Sequence, residues 1–240
     1  MSTEPASVQP TRSERLGNRV LWWLSVLIGI IGLLTLLGWV LDLPALTTWK
    51  ADTLPMAPGT AVLSVLFSSM LGLCIRQPSA SITQSLAIVL GWVGAMAALL
   101  LFILSLKDLY LSEERLGLPI TGVFGTAPIG YISIISAFCF LLAYISLIIT
   151  LTYKANSSWR KWWVWWVAGL ITLISFGLLL AYFFGLPLIT NKLLIAPALN
   201  TSFMLLLTGL GLLALNYRDY LRQSVSQSVS QSVSQSVSQS

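Results

Sequence analysis

The sequence predicts an all-α integral membrane protein, with six transmembrane helices arranged as three repeated helical hairpins. The first observation is composition: 56% of the 240 residues are apolar and only 9% are charged, whereas charged residues make up about 25% of a typical soluble domain. The second observation is a set of six long uncharged stretches, and the third is a proline pattern that recurs along the chain. Together they exclude a soluble globular domain.

Each uncharged stretch can cross a hydrocarbon core of about 30 Å, because a helix satisfies its own backbone polar groups. After loop residues are trimmed, we expect spans near 20–41, 56–75, 82–106, 128–153, 162–184 and 197–217. The predicted domains are a disordered cytoplasmic N-terminus (1–19), a membrane domain (20–217) and a cytoplasmic low-complexity tail (218–240).

A Leu-Pro step followed by an Ala-Pro step occurs three times, and the second proline recurs at intervals of about 70 residues. Leu-Pro is expected to end the outgoing helix, because the residue before a proline is pushed out of the α region. Ala-Pro is expected to begin the returning helix, where a missing N–H costs nothing. The predicted stops and starts are Pro44, Pro58, Pro119, Pro128, Pro187 and Pro197, in repeats of about 20–75, 82–153 and 162–217.

The charges predict the orientation in the membrane. Nine Lys and Arg residues flank the spans on the side of the two termini, against four on the other side. Positive residues collect on the cytoplasmic side of short loops, so both termini are predicted to be cytoplasmic and the proline loops to face outward.

Three groups of side chains stand out within this framework. Small residues at four-residue spacing predict a helix-packing face at Thr60, Ser64, Ser68 and Gly72. Rings and cations typical of headgroup depth predict an interfacial anchor at Trp159, Arg160, Lys161, Trp162, Trp163, Trp165 and Trp166. A speculative polar cluster opens the last helix at Asn200, Thr201 and Ser202, and capping and helix–helix hydrogen bonding explain it without a ligand.

The sequence offers little chemistry. The trimmed spans contain no Lys, Arg, Asp, Glu or His, and such residues at membrane depth are what pumps, ion-coupled carriers and intramembrane proteases depend on. There is no nucleophile with a base, no phosphate loop and no paired carboxylate. We therefore expect no enzyme activity, no cofactor, no metal and no nucleic-acid partner. Cys74 and Cys139 are interpreted as packing residues.

The end of the sequence repeats Gln-Ser-Val-Ser from position 223. Two interpretations stay open. The tract could be an ordinary serine-rich disordered tail, or it could be the translation of a tandem CAGT repeat, because CAG-TCA-GTC-AGT reads as Gln-Ser-Val-Ser.

Two segments resemble multi-spanning N-terminal membrane sensor regions of bacterial histidine kinases and diguanylate cyclases. They are Met-Ala-Pro-Gly-Thr-Ala (56–61) with Leu-Gly-Leu (71–73), and Ala-Pro-Ala-Leu-Asn-Thr-Ser-Phe (196–203) with Gly-Leu-Gly-Leu (209–212). The family pattern is Met-x-Pro-Asn-Thr-Ala-Leu followed by Leu-x-Gly. This chain departs from it at Gly59, and the middle copy keeps only Ala-Pro (127–128). The resemblance implies a multi-pass protein of the bacterial inner membrane that acts in a two-component or related system.

We therefore expect a sensor, input or anchor module of a bacterial signalling protein, without its cytoplasmic output domain, which is missing or out of frame. Its expected partners are the lipid bilayer and either a further copy of itself or a cytoplasmic signalling protein. The alternatives are a six-span carrier for an uncharged or lipid-like substrate and a membrane scaffold.

Overall fold

The helices follow the uncharged stretches of the sequence. The computed structural model describes residues 12–49, 53–75, 81–107, 123–124, 127–153, 157–185 and 197–238. The helices are α1 (Arg12–Val40), α2 (Pro44–Thr47), α3 (Pro58–Ile75), α4 (Ser81–Leu106), α5 (Ile134–Thr152), α6 (Ser158–Phe183) and α7 (Leu199–Ser238). Two short strands, β1 (Val123–Phe124) and β2 (Ala127–Pro128), pair antiparallel. Six of the helices are long and apolar enough to span a membrane, so the predicted all-α membrane fold is confirmed.

The six long helices pack as antiparallel neighbours along the chain. Ser25 of α1 donates a hydrogen bond to the carbonyl oxygen of Ser68 on α3 (2.8 Å). Gln84 of α4 does the same to Leu151 of α5 (3.0 Å). The hydroxyl of Tyr182 on α6 reaches the carbonyl oxygen of Pro197, just before α7 (2.7 Å). Each of these contacts joins two successive long helices, whereas the arrangement as three repeated hairpins stays a prediction.

Three inner helices form the core and three outer helices surround them. The apolar windows of α3, α5 and α7 are 56%, 50% and 67% buried, against 28% for each of α1, α4 and α6. Each outer helix contacts two inner helices. Helix α1 contacts α3 and α7, α4 contacts α5 and α3, and α6 contacts α7 and α5. The outer helices expose many large apolar side chains, as a lipid-facing surface requires; they include Leu34, Trp92, Leu100, Leu173 and Phe176.

One glycine in each pair allows the backbones to approach closely. A Cβ atom on Gly32 would lie 2.9 Å from Val65 and 3.0 Å from the carbonyl oxygen of Ala61. A Cβ on Gly94 would collide with the ring of Tyr144, and one on Gly209 with the hydroxyl of Thr172. Small residues at such crossings allow the close packing that stabilises helix association in membranes. Burial of apolar surface does not drive this association, because the lipid is itself apolar.

We call the bundle end with Pro44, Pro58 and Pro197 the proline end, and there the first helix ends where it was predicted to end, but not for the predicted reason. Helix α3 does begin at Pro58. Helix α1, however, is not ended by Pro44. It ends at Val40, where Asp42 adopts a left-handed conformation (φ 52°) and the N–H of Leu43 donates to the carbonyl oxygen of Gly38 (2.8 Å). That is a Schellman-type stop, and Pro44 instead begins the short helix α2.

The other prolines differ among themselves. The predicted start of the fourth span at Pro128 is wrong, because Pro128 lies in β2 and α5 begins at Ile134. Ser133 caps that helix by accepting the N–H of Ser136 (3.2 Å), which supplies the partner that a first-turn N–H needs. Pro197 precedes α7 by two residues. Pro119 and Pro187 lie outside the described residues.

The helical part extends beyond the predicted membrane domain at both ends. Helix α1 begins at Arg12, inside the segment predicted to be disordered, and a Cβ at Gly17 would lie 3.8 Å from the side chain of Arg218. Helix α7 continues through the repeat to Ser238. Extending an existing helix avoids the unfavourable nucleation step, so a segment that could not fold alone continues the helix here.

Candidate functional site

A buried cluster of charges lies at the other end of the bundle, which we call the charged end. It consists of Arg160 from α6 and of Arg218 and Asp219 from α7. Arg160 is 2% exposed and Arg218 is 5% exposed, and the side chain of Asp219 is 12% exposed. Charged side chains so well shielded are rare unless paired, which makes this cluster the strongest candidate for a functional site.

Arg160 belongs to the face of α6 that packs into the bundle. That face continues through Val164, Val167 and Ala168, at the three- and four-residue spacing of one helix face. Its Nη2 contacts Oδ2 of Asp219 at 2.8 Å, and its Nη1 donates to the carbonyl oxygen of Thr150 at 3.0 Å. Within the described residues, its buried Nε has no hydrogen-bond acceptor.

Arg218 makes the equivalent contacts from α7. Its Nη1 donates to the carbonyl oxygen of Cys74 (3.3 Å). Its Nη2 and Nε both approach Oδ1 of Asp219, at 3.1 and 3.4 Å. One carboxylate therefore receives both arginines, one on each oxygen, and the cluster keeps an excess of one positive charge.

That excess charge lies where two helices end. Thr150 is in the last turn of α5 and Cys74 in the last turn of α3. Carbonyl oxygens in a last turn have no partner within their own helix and carry the negative end of the helix dipole. Each arginine satisfies one such oxygen, so the cluster joins α6 and α7 to the ends of α3 and α5.

A further polar contact accompanies the ion pairs one turn earlier on α7. Asn216, which is 3% exposed, donates from Nδ2 to the carbonyl oxygen of Lys161 (3.3 Å). Asp219 and Asn216 lie three residues apart on α7, and they contact successive residues of α6. A sliding or rotation of α7 against α6 would break both contacts together.

The structure corrects the predicted interfacial anchor. Arg160 is not at the lipid surface but inside the bundle, because it lies on the buried face of α6. Trp163 packs against the core, and its buried Nε1 has no acceptor in the part of the chain that the structure describes. The remaining tryptophans of the predicted anchor are exposed, as headgroup contacts require; they are Trp159, Trp162, Trp165 and Trp166. Lys161 is partly exposed.

The predicted packing face on α3 lies against α1. Ser68 contacts Ser25, and a Cβ on Gly72 would lie 3.3 Å from the Ser25 hydroxyl. The side chain of Ser64 lies 3.3 Å from the position of a Cβ on Gly32. Thr60 is 1% exposed, and its carbonyl oxygen accepts the Ser64 hydroxyl.

The polar cluster at the start of α7 is buried at the proline end. Asn200, Thr201 and Ser202 are 1%, 2% and 0% exposed. Asn200 donates from Nδ2 to the carbonyl oxygen of Thr47 at 2.8 Å, which also accepts the N–H of Met56 at 3.0 Å. Ser202 donates to the carbonyl oxygen of Ala198. These contacts fix the start of α7 to α2, as the helix-packing interpretation expects, whereas the buried Oδ1 of Asn200 has no hydrogen-bond donor among the described residues.

No group of three metal-binding side chains occurs among the residues that the structure describes. Cys74 and Cys139 are buried and unpaired. They lie on different helices, α3 and α5.

Sequence reasoning missed the ion cluster because its members fall just outside the uncharged runs. The sequence did contain an indication of the cluster, in the four-residue spacing between its charged residues and buried apolar residues. Arg160 precedes the buried Val164 by four residues, and Asp219 follows the buried Leu215 by four, which places both on faces that point into the bundle.

The six long apolar helices define the chain as a multi-pass, all-α membrane protein. No protein-family model, no curated protein and no solved structure matches it.

Proposed function

We propose that this chain is the membrane-embedded input module of a bacterial signalling protein, and that α7 carries the signal from the bundle to the cytoplasm. The proposal assigns no catalytic step to the chain itself. Its partners are the lipid of the inner membrane and a signalling domain or protein on the cytoplasmic side. The observation that carries it is the continuity of α7, which is the most buried of the six spans and continues beyond the charged end as one helix.

The geometry of α7 suits it to transmit a movement. Its 40 residues correspond to a rod of about 60 Å at 1.5 Å per residue. The part from Val225, where its apolar span ends, to Ser238 accounts for about 20 Å of this length. At the proline end the rod is held by Asn200, and at the charged end by Asp219. A change in the packing at either end is therefore passed along a single element.

The ion cluster favours discrete positions of α7, because intermediate positions would leave buried charges unpaired. A buried charge that loses its partner costs about 3 to 5 kcal/mol, and each 1.4 kcal/mol changes a population ratio about tenfold. A stimulus that moves α7 against α6 would separate Asp219 from Arg160 and so shift the balance between two packings of the bundle.

The excess of Lys and Arg on the side of the termini supports a cytoplasmic charged end and an outward-facing proline end. In that orientation the loops of the proline end meet the stimulus. The extension of α7 then lies where a cytoplasmic partner can bind it.

The proposal is tested by joining a diguanylate cyclase domain to the full chain after Ser240 and measuring product in membranes at matched protein levels. Asp219→Asn removes the shared carboxylate, and we expect cyclase output to change several-fold. The matched control is Lys107→Gln, which neutralises an exposed charge at the proline end and should leave output unchanged.

Equal output from both variants would overturn the input function and leave an anchor or scaffold. Uptake of an uncharged solute into proteoliposomes, at a rate that Asp219→Asn alters, would favour the carrier instead.

A further inference from the structure

The repeat that follows the membrane part of α7 has an unusual composition for a helix. Residues 223–240 repeat Gln-Ser-Val-Ser, and the helix includes them as far as Ser238. Ser224 and Ser228 donate back to the carbonyl oxygens of Leu221 and Val225, three residues earlier, both at 2.8 Å. Ser and Val are mediocre helix formers, and such serine contacts compete with the helix ladder. Selection for a rigid helix does not explain this composition.

A four-base repeat in the gene would produce this composition. The four-base unit CAGT, read in successive triplets, gives CAG, TCA, GTC and AGT, which encode Gln, Ser, Val and Ser. In such a repeat serine occupies alternate positions, because its two unrelated codon families contain both TCA and AGT. Possible four-residue peptides outnumber four-base units several hundredfold. A four-residue repeat selected as protein would therefore rarely reduce to a four-base unit.

We propose that residues 223–240 are translated from a tandem CAGT repeat, whose copy number sets both the reading frame after the tract and the length of the α7 rod. Tandem units of this kind are gained and lost when a strand slips during replication. None of the four triplets is a stop codon, and each of the three frames yields the same cyclic peptide. Losing or gaining one four-base unit therefore leaves a tract that still encodes the Gln-Ser-Val-Ser repeat. It shifts the reading frame of the codons that follow the tract.

The number of repeat units also sets the length of the helix and the orientation of its end. Three units together encode one Gln-Ser-Val-Ser, which keeps the frame and adds four residues. Four residues lengthen a helix by about 6 Å and rotate its end by about 40° beyond one full turn. Because α7 is continuous from the bundle through the tract, that rotation is passed to whatever the tract is joined to. A change of one or two four-base units shifts the reading frame of the codons after the tract. A change of three units keeps the frame and alters the position and orientation of the segment after the helix.

This inference does not depend on the signalling function, because it holds for any segment translated after the tract. The first test compares two genes that encode the same protein, both carrying an epitope tag directly after the codon for Ser240. One keeps the natural codons of the tract. The other is recoded with synonymous codons that abolish the base repeat, and it is the matched control, since the two proteins are identical.

After prolonged growth, colonies are stained for the tag and their tracts are sequenced. We expect tag-negative colonies at least an order of magnitude more often from the natural gene, each with a whole number of four-base units gained or lost. Natural codons that do not reduce to CAGT would overturn the proposal, and so would equal frequencies from the two genes.

The second test measures the rod. Spin labels at Leu86→Cys on α4 and Ser238→Cys on α7, with Cys74 and Cys139 replaced by serine, report the distance between the bundle and the end of the helix. Inserting one Gln-Ser-Val-Ser before Ser238 should lengthen that distance by several ångströms, with about 6 Å as the maximum. An unchanged distance would overturn the proposed link between copy number and rod length.

Discussion

Arg160 of α6 and Asp219 of α7 are joined by a 2.8 Å contact between Nη2 and Oδ2, with side chains only 3% and 12% exposed. The two residues are 59 positions apart in the chain. Their contact lies where α7 leaves the bundle, and Arg218 shares the same carboxylate. The position of α7 is thus tied to that of α6, and through the arginines to the ends of α3 and α5.

The first prediction concerns the shared carboxylate. Asp219→Asn leaves two buried guanidinium groups without their counter-charge, and we expect it to destabilise the bundle by about 3 to 5 kcal/mol. Unfolding of the purified protein in detergent, followed by tryptophan fluorescence, measures the loss. Lys107→Gln is the control, since an exposed charge should change stability by no more than about 0.5 kcal/mol. A loss for Asp219→Asn no larger than that of the control would contradict an energetic role for the cluster.

A double-mutant cycle then tests whether Arg160 and Asp219 act as a pair. Once Asp219 is neutral, Arg160→Gln removes a charge that has already lost its partner. The double variant should therefore be more stable than the sum of the two single losses predicts, by about 0.5 to 3 kcal/mol. Additive losses, measured by the same unfolding experiment, would show that the 2.8 Å contact contributes no coupling.

The membrane fold was accessible from the sequence because it depends on length and polarity alone. An uncharged run of sufficient length has one low-energy solution in lipid, a spanning helix. The stripe from Thr60 to Gly72 was equally accessible, since four-residue spacing places its members on one helix face whatever surrounds it.

The ion cluster, the cause of the stop of α1 and the start of α5 were not accessible in this way. Which face of α6 points inward is decided by neighbouring helices, and the tryptophans around Arg160 made a lipid-facing interpretation reasonable. The end of α1 depends on the backbone of Asp42, a non-glycine residue with φ 52° whose side-chain type tolerates the left-handed region. The start of α5 depends on Ser133, whereas the proline pattern indicated Pro128.

A further prediction uses the two kinds of glycine in the outer helices. Gly94→Ala would press a methyl group into the ring of Tyr144, which is held by its own hydrogen bond to Leu63. We expect a loss of about 1 to 3 kcal/mol. Gly169→Ala on α6 is the matched control, because nothing lies within 4 Å of its Cβ position. It should be neutral or raise stability by up to about 1 kcal/mol, the helix preference of Ala over Gly. Similar losses for both variants, in thermal unfolding, would contradict the close α4–α5 contact.

The hydroxyl of Tyr144 provides a smaller and more specific prediction. It donates to the carbonyl oxygen of Leu63 at 2.6 Å and links α5 to α3. Tyr144→Phe removes this bond and keeps the ring that packs edge-on against Phe67. Interhelical hydrogen bonds in membrane proteins contribute about 0.6 kcal/mol on average and up to about 1.7, so we expect a loss in that range. Tyr220→Phe, at an exposed position on α7, is the control. If Tyr144→Phe loses no more stability than the control, the hydrogen bond between Tyr144 and Leu63 does not stabilise the core.

The last prediction concerns orientation, because the proposed direction of signalling requires the two ends of the bundle to lie on opposite sides of the membrane. Lys107 is exposed at the proline end and Gln227 is exposed on the extension of α7. Single cysteines at these positions, with Cys74 and Cys139 replaced by serine, are treated with a membrane-impermeant maleimide. The excess of Lys and Arg near the termini predicts that Lys107→Cys reacts in cells whose inner membrane is intact. Gln227→Cys should react only after that membrane is permeabilised. Labelling of both positions in intact cells would contradict the spanning arrangement, and the reverse pattern would invert the orientation and place the α7 extension outside, where no cytoplasmic partner could bind it.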